Sequence, residues 1–126
     1  MAEPWHEAVH ENDFSAEASI AGRHMEVALS GTADLMVKGR LDRFLHSLHA
    51  EAQRRALSQV SVDVRRLEFM NSCCLASFVW WIGTVHEQPA EARYHIVFLS
   101  SPTIYWQGRS LNALAGLGGD IISVQL

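Results

Sequence analysis

The hydrophobic period of this chain changes repeatedly along its length, and that alternation confines it to a small set of layered α/β folds. Ala18 and Ile20, then Met25, Val27 and Leu29 after the Gly22-Arg23 break, alternate with small or polar residues and predict two short strands joined by a turn. From Leu35 the spacing becomes helical. Val37, Leu41, Phe44, Leu45, Leu48 and Ala52 fall on one face, and Lys38, Asp42, Arg43, His46, His49 and Arg54 fall largely on the other. Val60, Val62 and Val64 restore a period of two with β-branched side chains, which predicts a central strand. Asn71 and Ser72, both good N-cap residues, precede an apolar stretch from Cys73 to about His86 that reads as a buried helix ended by Gln88-Pro89. Tyr94 to Leu99 is a short apolar strand. Ser100-Ser101-Pro102 leads into a last helix that stops near Gly116, Gly118 and Gly119, and Ile121 to Leu126 closes as a strand. Strands that alternate with helices need crossover connections and hence parallel pairing, so the predicted fold is α/β, a mixed four- to five-stranded sheet packed with helices.

Residues 1–13 mix charge with His6, His10 and Pro4 without a clean period. They are expected to form a loose or weakly helical N-terminal arm, with the folded domain over residues 14–126. At 126 residues and 48% hydrophobic content the chain can bury one core without help from metal or disulfide. Fourteen acidic residues against ten basic ones give a net charge of −4, spread along the chain, which argues against nucleic acid as a partner. The adjacent Cys73 and Cys74 are poorly placed for a structural disulfide, and two thiols make no zinc framework. His6 and His10, like His46 and His49, have spacings that can share a metal on a helix, but without a clustered third ligand they read as solvated surface histidines, and no metal or cofactor is expected. No export signal opens the chain, and the most apolar stretch, Cys73 to Val85, is broken by Ser77, Gly83 and Thr84 and is too short to span a bilayer; a cytoplasmic protein without membrane insertion is expected. No Walker motif, dinucleotide fingerprint or hydrolase elbow points to an enzyme.

The segment VDVRRLEFMNSCCL, Val62 to Leu75, resembles the signature of the STAS family, a hydrophobic strand and short turn followed by an acid-serine pair that opens a helix. GTAD at Gly31 to Asp34 is similar to the family's Gly-Glu-Leu-Asp turn, and LSSP at Leu99 to Pro102 to its strand-to-helix loop. The resemblance spans roughly residues 18 to 126. It implies a STAS-like fold and a regulatory role like that of the anti-sigma-factor antagonists, which bind an anti-sigma factor that is also a serine kinase and are switched by phosphorylation. By this alignment the family's aspartate falls on Asn71, its phosphorylated serine on Ser72, the next small hydroxyl residue on Cys73 and its glycine on Cys74. An amide at Asn71 can hydrogen-bond but cannot draw off a proton, and Thr32 replaces another acidic family residue, so the implied partner surface is less negative than usual.

A phosphate on Ser72 would sit at the positive end of a helix and add nearly two negative charges to a neutral surface, enough to repel a partner. The plainer reading of Ser72 is a helix cap. At about 100° per residue Leu75, Phe78, Val79, Ile82 and Val85 share a core face, while Cys73, Ser77, Trp80 and Thr84 fall opposite. Trp80 should therefore point outward as an interface anchor unless another element covers it, with Trp81 structural. The expected partner-binding set is Thr32, Asp34, Asn71, Ser72, Cys73, Ser77, Trp80 and Thr84, with Asp34 also serving as a helix cap. Two other functions fit the same residues: a non-phosphorylated scaffold or transport-complex subunit, and a thiol sensor acting through Cys73. A homodimer is compatible with each.

Overall fold

Residues 5–126 are described by the computed structural model. Strands β2 (Phe14–Ala21) and β3 (His24–Ala33) pair antiparallel with Ala21 opposite His24, so Gly22 and Arg23 form a two-residue hairpin loop, as the break predicted. A 3-10 turn at Leu35–Val37 leads into α1 (Lys38–Arg54), whose buried residues Leu41, Phe44, Leu45, Leu48 and Ala52 are those of the predicted face. Strand β4 (Gln59–Met70), helix α2 (Ser72–His86), strand β5 (His95–Leu99), helix α3 (Tyr105–Gly118) and strand β6 (Ile122–Gln125) follow. β3, β4, β5 and β6 are parallel neighbours.

The sheet has six strands rather than four or five: with a first strand β1 at His6–Glu11, the order is β1-β2-β3-β4-β5-β6. The additional strand, β1 (His6–Glu11), lies in the stretch expected to be a loose or weakly helical arm. It pairs antiparallel with β2 along its length, and Glu11 forms an ion pair with Arg40 of α1. Trp5 and Val9 pack against the core, and that apolar contact outweighs the charged composition of the segment. Residues 1–4, also part of that expectation, lie outside the described residues.

One sheet face and the inner sides of the helices make the core. Val27 and Leu29 of β3, Val60, Val62 and Val64 of β4, and Ile96 and Phe98 of β5 all belong to it. On the opposite face Glu17, Ser19, Glu26, Ala28, Ser61 and Asp63 line a shallow depression of about 410 Å³. Among the described residues no helix is long and apolar enough to cross a membrane.

Candidate functional site

β4 continues past Asp63, where its pairing with β5 ends, and delivers Asn71 and Ser72 to one end of the sheet. The tail of β3 follows it there, with Thr32 opposite Phe69 and Ala33 opposite Met70. This tail depends on Gly31, whose φ of +86° is strained for any residue with a side chain, and whose ideal Cβ position lies 1.7 Å from the Asp13 carbonyl oxygen. Thr32 N–H donates to that same oxygen at 2.8 Å.

Two bonds then join the Asp34 turn to the start of α2. Asn71 N–H donates to the Ala33 carbonyl at 2.9 Å, and Cys74 Sγ–H donates to the Asp34 carbonyl at 3.2 Å. Asp34 is exposed, and its carboxylate accepts from Met36 N–H at 3.0 Å, which is the capping role expected of it. The structure thus brings Thr32, Asp34, Asn71, Ser72 and Cys73 to one end of the molecule.

Asn71, and not Ser72, is the N-cap of α2. Its Oδ1 accepts from Cys73 N–H at 2.8 Å and from Cys74 N–H at 3.3 Å. Ser72 is the first helical residue, is exposed, and among the described residues its Oγ has no hydrogen-bond partner. The capping explanation for Ser72 is therefore removed, and Asn71, committed to two backbone amides, is a structural residue as well as a neighbour of the hydroxyl. Asn71→Ala is expected to lower stability by about 1 kcal/mol and Ser72→Ala to leave it within about 0.5 kcal/mol, measured as urea midpoints of the two variants.

The buried arc of α2 is turned from the predicted one. Cys74, Ser77, Phe78, Trp81, Ile82 and Val85 are buried, and Val79, placed in the core by periodicity, is 42% exposed. Ser77 was expected on the partner surface. Instead it faces α1, where its Oγ–H donates to Asp42 Oδ1 and its Oγ accepts from Lys38 Nζ at 3.0 Å. Burial alone would raise the Asp42 carboxyl pKa, but the hydrogen bonds from Ser77 and Lys38 and the nearby Lys38 charge outweigh it and hold the group below its ordinary value. This polar clamp between α1 and α2 is what rotates the helix, and a hydrophobic count along α2 gives no sign of it. Thr84 is half-buried and donates to the Trp80 carbonyl at 2.7 Å, a bond within its own helix. Cys73 and Cys74 are free thiols, the first exposed and the second buried.

Trp80 does face outward, at 38% exposure, but one side of its ring is covered by His46 of α1, stacked at a centroid distance of 3.7 Å. His49 packs edge-on to the same indole. Trp81 is fully buried, and its Nε1–H donates to Tyr94 Oη at 2.7 Å. Tyr94 Oη lies 2.7 Å from His49 Nδ1, a contact in which the tyrosine donates when Nδ1 is unprotonated. The expected solvated histidine at position 49 is thus half-buried within an aromatic cluster. Among the described residues no group of acidic, histidine or cysteine side chains could hold a metal ion.

Burial, together with the charge of His46, lowers the His49 pKa from its ordinary 6.5. The unfolded chain therefore binds that proton more readily than the folded one. The contribution of His49 to stability is complete above its ordinary value and is lost as the pH falls through and below it. Urea midpoints are expected to fall between about pH 7.5 and about pH 5.5, and to fall less in His49→Asn, whose amide oxygen can accept the same Tyr94 bond.

Sequence reasoning missed Gln107. It is wholly buried and donates from Nε2 to the carbonyls of Val64 at 2.6 Å and Leu67 at 3.0 Å, while its Oε1 accepts from Ser101 N–H at 2.8 Å. Trp106 Nε1–H also donates to the Leu67 carbonyl, at 3.0 Å. These α3 side chains serve the backbone of β4 beyond the end of β5, and so brace the strand that carries the candidate acceptor.

The fold is the STAS fold of the anti-sigma factor antagonists. An anti-sigma factor antagonist from Mycobacterium paratuberculosis superposes with a TM-score of 0.65 at 12% sequence identity, over 89% of this chain and 85% of that one. The anti-sigma factor antagonist SpoIIAA in its unphosphorylated form superposes with a TM-score of 0.58 at 20% identity, over 88% of each chain. No protein-family model and no curated protein matches the sequence.

Proposed function

We propose that this protein is a regulatory binding module of the anti-sigma-factor antagonist type, which engages an anti-sigma factor with serine kinase activity and is switched by phosphorylation of Ser72. The observation that carries the reading is the state of Ser72: an exposed hydroxyl with no structural duty, at the first residue of α2, just after its Asn71 cap, and on the same end of the sheet as the Asp34 turn. A phosphate there would sit at the positive end of the helix dipole, beside the Asn71 cap, and would add charge next to the uncharged amide of Asn71. Regulation then needs no catalytic group from this chain, in keeping with a fold whose solved examples include anti-sigma factor antagonists.

A second reading draws support from Asn71. Its amide is held by two backbone bonds where the resembling family carries a carboxylate, which favours a scaffold or transport-complex subunit that is never phosphorylated. Affinity capture from cells of the source organism with wild type, Ser72→Asp and Trp80→Ala, combined with phosphopeptide mapping of the wild type, separates the two. The switch predicts a phosphopeptide containing Ser72 and an anti-sigma kinase whose recovery falls at least about tenfold with Ser72→Asp, a loss of roughly 1.4 kcal/mol or more. Equal recovery by wild type and Ser72→Asp, with no modified Ser72, leaves the scaffold.

A further inference from the structure

Charge is distributed unevenly between the layers. The chain carries a net −4, yet its three helices hold Lys38, Arg40, Arg43, Arg54 and Arg109 against only Asp42 and Glu51. Both of those carboxylates already have cationic partners, Asp42 in Lys38 and Glu51 in Arg54 and Arg55. Arg43 on α1 and Arg109 on α3 are exposed and have no partner among the described residues. α2 packs between these two helices. It bears no Lys, Arg, Asp or Glu, and its exposed residues are Ser72, Cys73, Ala76, Val79, Trp80 and Gly83, with His86 at its C-terminal end. The carboxylates nearest in sequence, Glu68 and Glu87, are exposed and stand beyond its two ends.

A solvent-facing helix without charge can be covered without stranding an ion.

Building on the regulatory reading above, we infer that the outer face of α2 from Ser72 to Gly83 docks a protein segment that is apolar at its centre and acidic at its edges, with Trp80 and Val79 filling the centre and Arg43 and Arg109 meeting the acidic flanks. The choice of an acidic occupant rests on charge complementarity with unpaired cations on both sides of a neutral ridge. It also gives the phosphate on Ser72 a direct effect, because two further negative charges at one end of this face repel an acidic partner.

The test places photoreactive benzoylphenylalanine at position 79, at position 72 and, on the open sheet face, at position 61, each in the full chain expressed in its source cells, with the adduct peptides sequenced by mass spectrometry. The expected result is a protein adduct at position 79 whose linked peptide has net negative charge and apolar residues, no adduct at position 61, and a fall of at least about tenfold in the position 79 yield for Arg43→Glu with Arg109→Glu, a variant whose thermal unfolding matches wild type. A basic linked peptide, a second copy of this chain, a non-protein adduct, or a yield unchanged by the charge reversal overturns the inference. A protein adduct at position 72 with none at 79 also overturns it while leaving the regulatory reading in place, and the absence of adducts at both positions removes the two together.

Discussion

Trp81→Ala is expected to lower the unfolding free energy by about 3–5 kcal/mol, and Trp80→Ala, one residue earlier, by only about 1 kcal/mol. The difference follows from the rotation of α2. Trp81 is fully buried, packs against Phe78 and Tyr94, and holds the Tyr94 oxygen through its indole N–H, so truncation leaves both a cavity and a buried phenol with one bond fewer. Trp80 loses mainly its stack on His46. Urea unfolding of the two variants gives the stabilities, and similar losses for both would mean that the helix is not turned as described. The same pair separates folding from function, since Trp80→Ala is the variant expected to weaken partner binding while leaving the chain folded.

Gly31→Ala is expected to cost about 2–4 kcal/mol, with Gly22→Ala as its control at about 1 kcal/mol. Both glycines have positive φ, so both substitutions carry backbone strain, but only at position 31 would the new methyl group run into main chain, 1.7 Å from the Asp13 oxygen. Relief requires β3 and the β1–β2 connection to separate, which would loosen the bond from Thr32 N–H to Asp13 and disturb the turn that carries Asp34. Thermal unfolding measures the cost. Equal effects at the two positions would show that strain alone, and not the close approach, makes glycine necessary at position 31.

The elements most legible in the sequence were those whose burial follows one simple period. α1 presents the predicted face, and β4 alternates as Val60, Val62 and Val64 require, because each packs one side against a continuous apolar surface. β1 was not legible: His6, Ala8 and His10 face one way and Glu7, Val9 and Glu11 the other, with a single aliphatic branch among them, and its place is set by pairing with β2 and by the Arg40 ion pair. The face of α2 was misplaced because its residues are apolar nearly all round, so the hydrophobic pattern leaves its rotation open and the Lys38–Asp42–Ser77 clamp decides it. At the candidate site, the meeting of the Asp34 turn with Ser72 was anticipated from the family resemblance. The cap, which the plain reading placed on Ser72, falls on Asn71, since both residue types cap well and only the path of the chain into the helix decides which is used.

Because β4 outruns β5, Ser72 stands at the tip of a two-stranded beam rather than in the rim of the full sheet. Such a projection is stiff along its length when its open side is propped, and here Gln107 and Trp106 supply the prop by taking up the Val64 and Leu67 carbonyls that a neighbouring strand would otherwise occupy. On the proposed reading, a second protein would close around the tip from above without any part of this chain having to melt. If Ser72 is the recognised hydroxyl proposed above, its recognition would be a matter of fit to a preformed prow, with little of the binding energy spent on ordering it.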